Sequence, residues 1–288
     1  MKKYLIYVFS VFMFLAGAGS VPAVAADKDS GNIVIGGHGN ITVEGPTGLF
    51  LNPTSGILAE GELIVQYCAA ILEDAENNNF IGHNAILSYG VTDWLELGGF
   101  GVIVDRSKLG SGGGGGGSPC GPGGGGPGPG PAAGAPCPTN NLGAGGPFAR
   151  VKLVKETASI PEFTVGGISL NGADELTKHT VFVAASKGTR FTNRKFLRSA
   201  KLHVGARNFW AKVGPDDYVF YVGADLELRK NIFLVAEIST EYEGAIEVPW
   251  SVGIQVRSGE GYGFSLGFIQ PGAVPDPGVF VGVGINFD

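Results

Sequence analysis

After Ala25 the 288-residue chain has no apolar run approaching the roughly twenty residues that carry a helix across a bilayer, which excludes a helical membrane protein. Basic residues are in short supply: 20 Lys and Arg stand against 26 Asp and Glu, and without Lys2 and Lys3 the balance is 18 against 26, a formal charge of −8. With no basic patch to meet phosphates, the chain lacks what a nucleic-acid partner needs. Lys and Glu at helical spacing are scarce, and glycine, polar and apolar residues are interleaved rather than blocked, so the chain reads as all-β. Cysteine is limited to Cys68, Cys120 and Cys137. No His or acidic residue accompanies the last two, and two thiolates leave a zinc site half filled, so neither metal nor cofactor is expected.

The N-terminus has an export pattern. Lys2 and Lys3 precede an apolar run from Tyr4 to Leu15, and Ala23-Val24-Ala25 supplies a small-x-small cleavage site, so residues 1–25 are expected to be a signal peptide. Residues 26–61 are then expected to be a periplasmic segment, and 62–288 a barrel interrupted by a Gly/Pro-rich loop insert at 105–146. Residues 110–146 contain 18 Gly and 7 Pro and carry almost nothing to bury, so the tract is expected to be disordered. It lacks the Lys and the flanking strand and helix of a phosphate cradle. Cys120 and Cys137 lie inside it and are candidates for a disulfide in an oxidising compartment.

The decisive pattern is period two. In the last eleven residues Val279, Val281, Val283, Ile285 and Phe287 share one face, while Gly282, Gly284 and Asn286 share the other. Tyr262, Phe264, Leu266 and Phe268 alternate with Gly263, Ser265 and Gly267, and Trp250, Val252, Ile254 and Val256 alternate with Ser251, Gly253, Gln255 and Arg257. A continuous apolar face backed by small or polar residues is what a transmembrane β-strand requires. The alternation predicts twelve strands, at 62–72, 80–90, 93–104, 147–156, 161–170, 178–187, 199–209, 217–228, 230–242, 248–257, 260–270 and 278–288. Together they form an antiparallel up-and-down β-barrel. Closure is obligatory, because an open sheet edge in hydrocarbon leaves unpaired backbone groups. The odd-numbered connections read as long and external, the even-numbered ones as short and periplasmic. The connection at 188–198 is the exception, and leaves open the strand boundaries there or a count different by two.

Alternation places Glu96, Arg150, Lys152, Lys201, His203, Arg207, Asp225, Glu227, Glu237, Glu241, Gln255 and Arg257 on the inward face as candidate pore-lining residues. Charge on the lipid face costs about 2–4 kcal/mol at the midplane, which is why it collects on one parity. Basic residues dominate the fourth and seventh strands and acidic ones the eighth and ninth. The lumen therefore holds either ion pairs that fill it or a transverse field across water, since twelve strands fall between filled eight-stranded and open sixteen-stranded barrels. Cys68 reads as a small interior residue. Trp94, Trp210, Tyr218, Tyr242, Trp250 and Tyr262 lie near strand ends, as interfacial aromatics do. His203 has no Ser or Asp tied to it by spacing, so no catalytic residue is assigned and the chain is not expected to be an enzyme.

Gly282-Val283-Gly284-Ile285-Asn286-Phe287 resembles the terminal signal of bacterial outer-membrane β-barrels, which the barrel-assembly machinery recognises; Asp288 makes the aromatic penultimate. Gly282, Ile285 and Phe287 would carry that signal. Tyr89 to Gly98 resembles a periplasmic hairpin of such barrels. Gly45 to Thr54, followed by Glu60-Gly61-Glu62, is similar to the segment leading into outer-membrane barrels linked to exopolysaccharide secretion. The resemblance implies a bacterial outer-membrane location, with outer-membrane lipid and the assembly machinery as partners. It also implies a superfamily of pores, transporters, adhesins and enzymes. Two functions stay open: a pore or transport-class protein for small polar solutes, or a non-conducting structural or interaction barrel that contacts a partner such as envelope polysaccharide. Oligomeric state is not encoded in these patterns.

If the apolar row completes the last strand, Phe287→Ala will reduce membrane insertion more than Asp288→Ala. Heat-modifiable gel migration of the outer-membrane fraction reads this out, and equal insertion of the two variants would remove the terminal signal.

Overall fold

A computed structural model describes residues 49–74, 79–105, 142–191, 196–212, 216–259 and 261–287. The expected signal peptide, residues 26–48, most of the Gly/Pro-rich insert with Cys120 and Cys137, and Asp288 lie outside the described residues. No helix among the described residues is long and apolar enough to cross a membrane, which says nothing against crossing by strands.

Twelve antiparallel strands form the fold: β1 (Leu63–Glu73), β2 (Asn79–Thr92), β3 (Leu95–Asp105), β4 (Leu142–Val154), β5 (Glu162–Gly172), β6 (Lys178–Arg190), β7 (Ser199–Ala211), β8 (Asp217–Arg229), β9 (Ile232–Ser239), β10 (Trp250–Arg257), β11 (Tyr262–Gln270) and β12 (Gly278–Phe287). Each pairs with its sequence neighbours, and β12 closes on β1 from Leu63 opposite Phe287 to Ile71 opposite Val279. A closed ring leaves no edge, so every strand has a partner on both sides.

Facing follows the sequence pattern. Along β12 the side chains alternate strictly, with Val279, Val281, Val283, Ile285 and Phe287 exposed on the outer wall and Gly282, Gly284 and Asn286 buried inside. The outer surface is a band of Val, Ile, Leu, Phe and Tyr, the wall a transmembrane barrel presents to lipid.

Three boundaries differ from the sequence reading. β4 begins at Leu142 rather than 147, which confines the β3–β4 connection to 106–141. Gly143 and Gly145 are poor strand formers, but Leu142 to Val151 pair residue for residue with β3, and that pairing outweighs propensity. β6 runs on to Arg190, paired with Ser199, so the sixth connection shrinks to 191–198 and the count of twelve stands. β9 stops at Ser239, which puts Glu241 on the exposed connection to β10 and removes it from the lumen.

The even-numbered connections lie at the end where β1 starts and β12 finishes, here called the turn end; the odd-numbered ones lie at the loop end. The β8–β9 turn is only Lys230 and Asn231, and Asn231 takes φ 68°, a left-handed conformation that Asn tolerates. Trp94, Trp210, Tyr218 and Tyr262 are exposed near strand ends and Trp250 is half-buried. Tyr242 instead packs edge-on against Phe209, ring centroids 5.8 Å apart, and its hydroxyl donates to the Pro271 carbonyl at 3.0 Å, so it belongs to the loop packing rather than to a girdle.

Because Val283 sits mid-strand on the outer wall, Val283→Lys is expected to cost about 2–4 kcal/mol of stability in a bilayer. Val283→Ile should stay within about 0.5 kcal/mol. Urea unfolding from vesicles measures the difference.

Candidate functional site

The lumen is occupied by the chain itself. Residues 49–58 are buried, and they run from the middle of the barrel down to the turn-end mouth, where Ala59, Glu60 and Gly61 lead into β1. The described part of the expected periplasmic segment is thus a plug inside the barrel. Its first residues are apolar: Leu49, Phe50 and Leu51 pack with Cys68, Ala70, Phe233, Val235, Ile269 and Phe280 of the wall. The Phe50 and Phe280 rings lie 4.3 Å apart. Burying each such side chain contributes about 1.5–3 kcal/mol. Inward glycines make the room. A Cβ on Gly223 would fall 2.3 Å from Leu49 Cδ1, and one on Gly90 would fall 1.9 Å from the Ala59 carbonyl oxygen where the plug enters.

Below the apolar turn the plug is held by polar wall residues, because its irregular backbone is buried and must still be satisfied. The Leu51 amide donates to Glu237 Oε1, and Asn52 Nδ2 donates to Glu237 Oε2 at 2.8 Å and to Ser239 Oγ at 3.1 Å. Ser251 Oγ also donates to Glu237 Oε1, at 2.6 Å. Arg207 Nη1 donates to the Leu51 carbonyl at 3.4 Å, and the Tyr221 hydroxyl donates to the Pro53 carbonyl at 2.7 Å. Thr164 donates to the Ser55 carbonyl, while Ser55 Oγ donates to Glu162 Oε1 at 2.9 Å. Nearest the mouth, Arg150 Nη2 donates to the carbonyls of both Thr54 and Gly56, Arg150 Nη1 meets Glu96 Oε2 at 3.3 Å, and Glu96 Oε2 accepts the Leu58 amide at 3.1 Å. Arg150 and Glu96 face each other across β3 and β4, and both are fully buried.

Ten of the eleven candidate charged lining residues are on the inward parity, Glu241 being the exception. Glu96, Arg150, Arg207 and Glu237 grip the plug. Lys201, His203, Asp225 and Arg257 are buried in the wall, where Arg257 Nη2 lies 2.8 Å from Asp225 Oδ2 and its guanidinium stacks 4.1 Å from the centre of the Phe233 ring. Gln255 accepts from the same guanidinium at 2.6 Å. Lys152 and Glu227 sit at the turn-end mouth; Lys152 pairs with Glu162 at 3.4 Å, and Glu227 accepts from Ser199 Oγ at 2.9 Å. The pairs run around the wall, between strands one or two apart, and not across open water.

The fold also assembles residues that spacing did not connect. Ser186 Oγ lies 2.7 Å from His203 Nδ1, and Asp225 Oδ2 lies 3.8 Å from His203 Nε2. The order Ser, His, Asp is that of a nucleophile with its base. Here Asp225 is engaged by Arg257, Ser186 receives the Ser55 amide at 3.3 Å, and all three are buried beneath the plug. Only Ser186 of the three has a hydrogen bond to the plug among the contacts described, through the Ser55 amide. Ser186 and Glu162, which sequence reasoning missed, share the inward parity of their strands, and that parity was the available signal.

No protein-family model matches the chain, and no curated protein matches it. Among solved structures, an outer-membrane channel from Pseudomonas putida F1 is 12% identical, covering 80% of this chain and 97% of its own, at a TM-score of 0.42. The translocator domain of the autotransporter NalP from Neisseria meningitidis is 11% identical, covering 79% of this chain and 88% of its own, at a TM-score of 0.36.

Removing one partner of a buried ion pair strands the other charge, at about 3–5 kcal/mol. Arg150→Met, which also frees two plug carbonyls, should therefore destabilise the barrel by at least that much. The double variant Glu96→Gln with Arg150→Met should cost less than the sum of the single changes, because no carboxylate is then left stranded. Denaturant midpoints of the three variants test this, and additive losses would show that the pair is not coupled.

Proposed function

We propose that this chain is a bacterial outer-membrane β-barrel of the filled kind, a structural or interaction barrel whose lumen is closed by its own N-terminal segment. The observation that carries the reading is the use of the lumen charges: Glu96, Arg150, Arg207 and Glu237 hydrogen-bond the backbone of residues 51–58 instead of lining water. The turn end then faces the periplasm and the loop end the exterior, with outer-membrane lipid around the wall and the barrel-assembly machinery as the insertion partner. Contacts with an envelope partner such as a polysaccharide fall to the loops. No catalytic role is assigned, since Ser186 and His203 have no approach for a substrate past the plug.

A second reading, passage of small polar solutes, is favoured by one feature. The plug is attached through side-chain hydrogen bonds and is not part of the strand ladder, so its release would leave the barrel closed on itself.

Single-channel recording separates the two. On the filled-barrel reading the intact protein gives no current steps, and deletion of residues 49–59 opens a conductance. Steady ohmic conductance of the intact protein, equal to that of the deletion, would overturn the proposal in favour of transport.

A further inference from the structure

Among the described residues the two ends of the barrel differ in charge. Around the loop end the exposed connections carry Asp174, Glu175, Asp216, Glu243, Glu247 and Asp276, with Lys212 paired to Asp174 at 2.6 Å. Around the turn end, on the arc from β4 to β9, the exposed ionisable residues among those described are instead Lys155, Arg190, Arg198, Arg229 and Lys230. The carboxylates on that arc are already engaged: Glu227 lies 3.8 Å from Arg198, and Glu156 lies 3.9 Å from Lys187 and 3.8 Å from Lys201. Among the described residues the rest of the turn-end rim exposes Glu60 and Asp93 and no cation, so the described cationic character lies on one arc.

Large apolar side chains are interleaved with these cations. Phe196 is 74% exposed, Leu153 60% and Ile160 48%, each within two to five residues of a cation in sequence and all at the same rim. Exposed aromatic and aliphatic residues among cations form an interfacial surface, in which the apolar groups enter the acyl boundary and the cations meet headgroup phosphates. A purely hydrophilic acidic surface would satisfy the cations but give Phe196 no apolar partner. A neutral lipid would satisfy the apolar groups but not the charge.

We propose that the turn-end arc from β4 to β9 is a docking surface for anionic glycerophospholipid headgroups of the adjoining leaflet. The inference rests on the membrane-spanning reading above. Each cation near a charged lipid surface is worth roughly fivefold in binding. The arc would hold the barrel at a fixed depth and tilt, and would gather anionic lipid beside the mouth through which the plug enters.

The test is lipid retention by the full chain, reconstituted in vesicles of mixed phosphatidylglycerol and phosphatidylcholine, extracted in mild detergent and weighed by native mass spectrometry. The protein is expected to retain phosphatidylglycerol in preference to phosphatidylcholine. The triple variant Lys155→Gln, Arg190→Gln, Lys230→Gln should lose that preference by roughly fivefold per cation removed. Lys212→Gln at the loop end should leave it unchanged. Heat-modifiable migration confirms that each variant is folded. A folded barrel with equal retention of the two lipids, a preference that survives the triple change, or displacement of the lipid by inorganic phosphate alone would overturn the docking surface. Failure of the native chain to form a heat-modifiable barrel in the vesicles would overturn the membrane reading and the surface with it.

Discussion

Backbone amides and carbonyls that lose water must find partners, and most of this structure follows from that single requirement. In the wall it is met by closure, β12 on β1, which leaves no strand edge unpaired. On the inner side it operates again. For the irregular stretch of chain in the lumen, the wall supplies side chains that meet its amides and carbonyls. Glu237, Tyr221, Thr164, Arg150 and Glu96 each meet a plug amide or carbonyl. Glu96, Arg150, Arg207 and Glu237 are better understood as backbone partners than as a selectivity filter.

The same requirement explains why the interior is polar and yet packed. Twelve strands enclose more space than wall side chains alone fill. One extra pass of chain, apolar at Leu49 to Leu51 and polar below, takes up the difference. The inward glycines are its complement: where Gly223 and Gly90 leave the wall bare, Leu49 and Ala59 come close. Ion pairs then need only neutralise locally, as Arg257 does with Asp225 and Arg150 with Glu96, and no field across the lumen is required.

The barrel was legible in the sequence because period-two alternation has one physical cause here, an apolar outer wall backed by a polar or small-residue interior, and Val279 to Phe287 display it without interruption. The fold class, the strand count and the facing of ten charged residues followed from parity. The contents of the lumen did not follow, since parity says which side a residue faces and not what it meets there; Arg150 facing water and Arg150 facing the Thr54 carbonyl look alike in sequence. Glu241 went astray because alternation persists past the last ladder partner at Ser239, and the early start of β4 was hidden by glycines whose pairing with β3 is a long-range event. The plug had one sequence trace, the stretch from Gly45 to Thr54, but nothing local distinguishes a segment beside the barrel from one inside it.

The junction between plug and barrel is short. Only Ala59, Glu60 and Gly61 separate the last buried plug residue from the paired Glu62–Gly90 region, and Gly61, at φ 88°, turns the chain there. A tether of that length keeps the plug at an effective concentration of millimolar or higher at its own site. Any soluble molecule seeking the lumen therefore competes with a ligand that cannot diffuse away, and dilution of the protein does nothing to help it. Occupancy of this barrel by its plug is a property of the single chain, independent of the protein's own concentration.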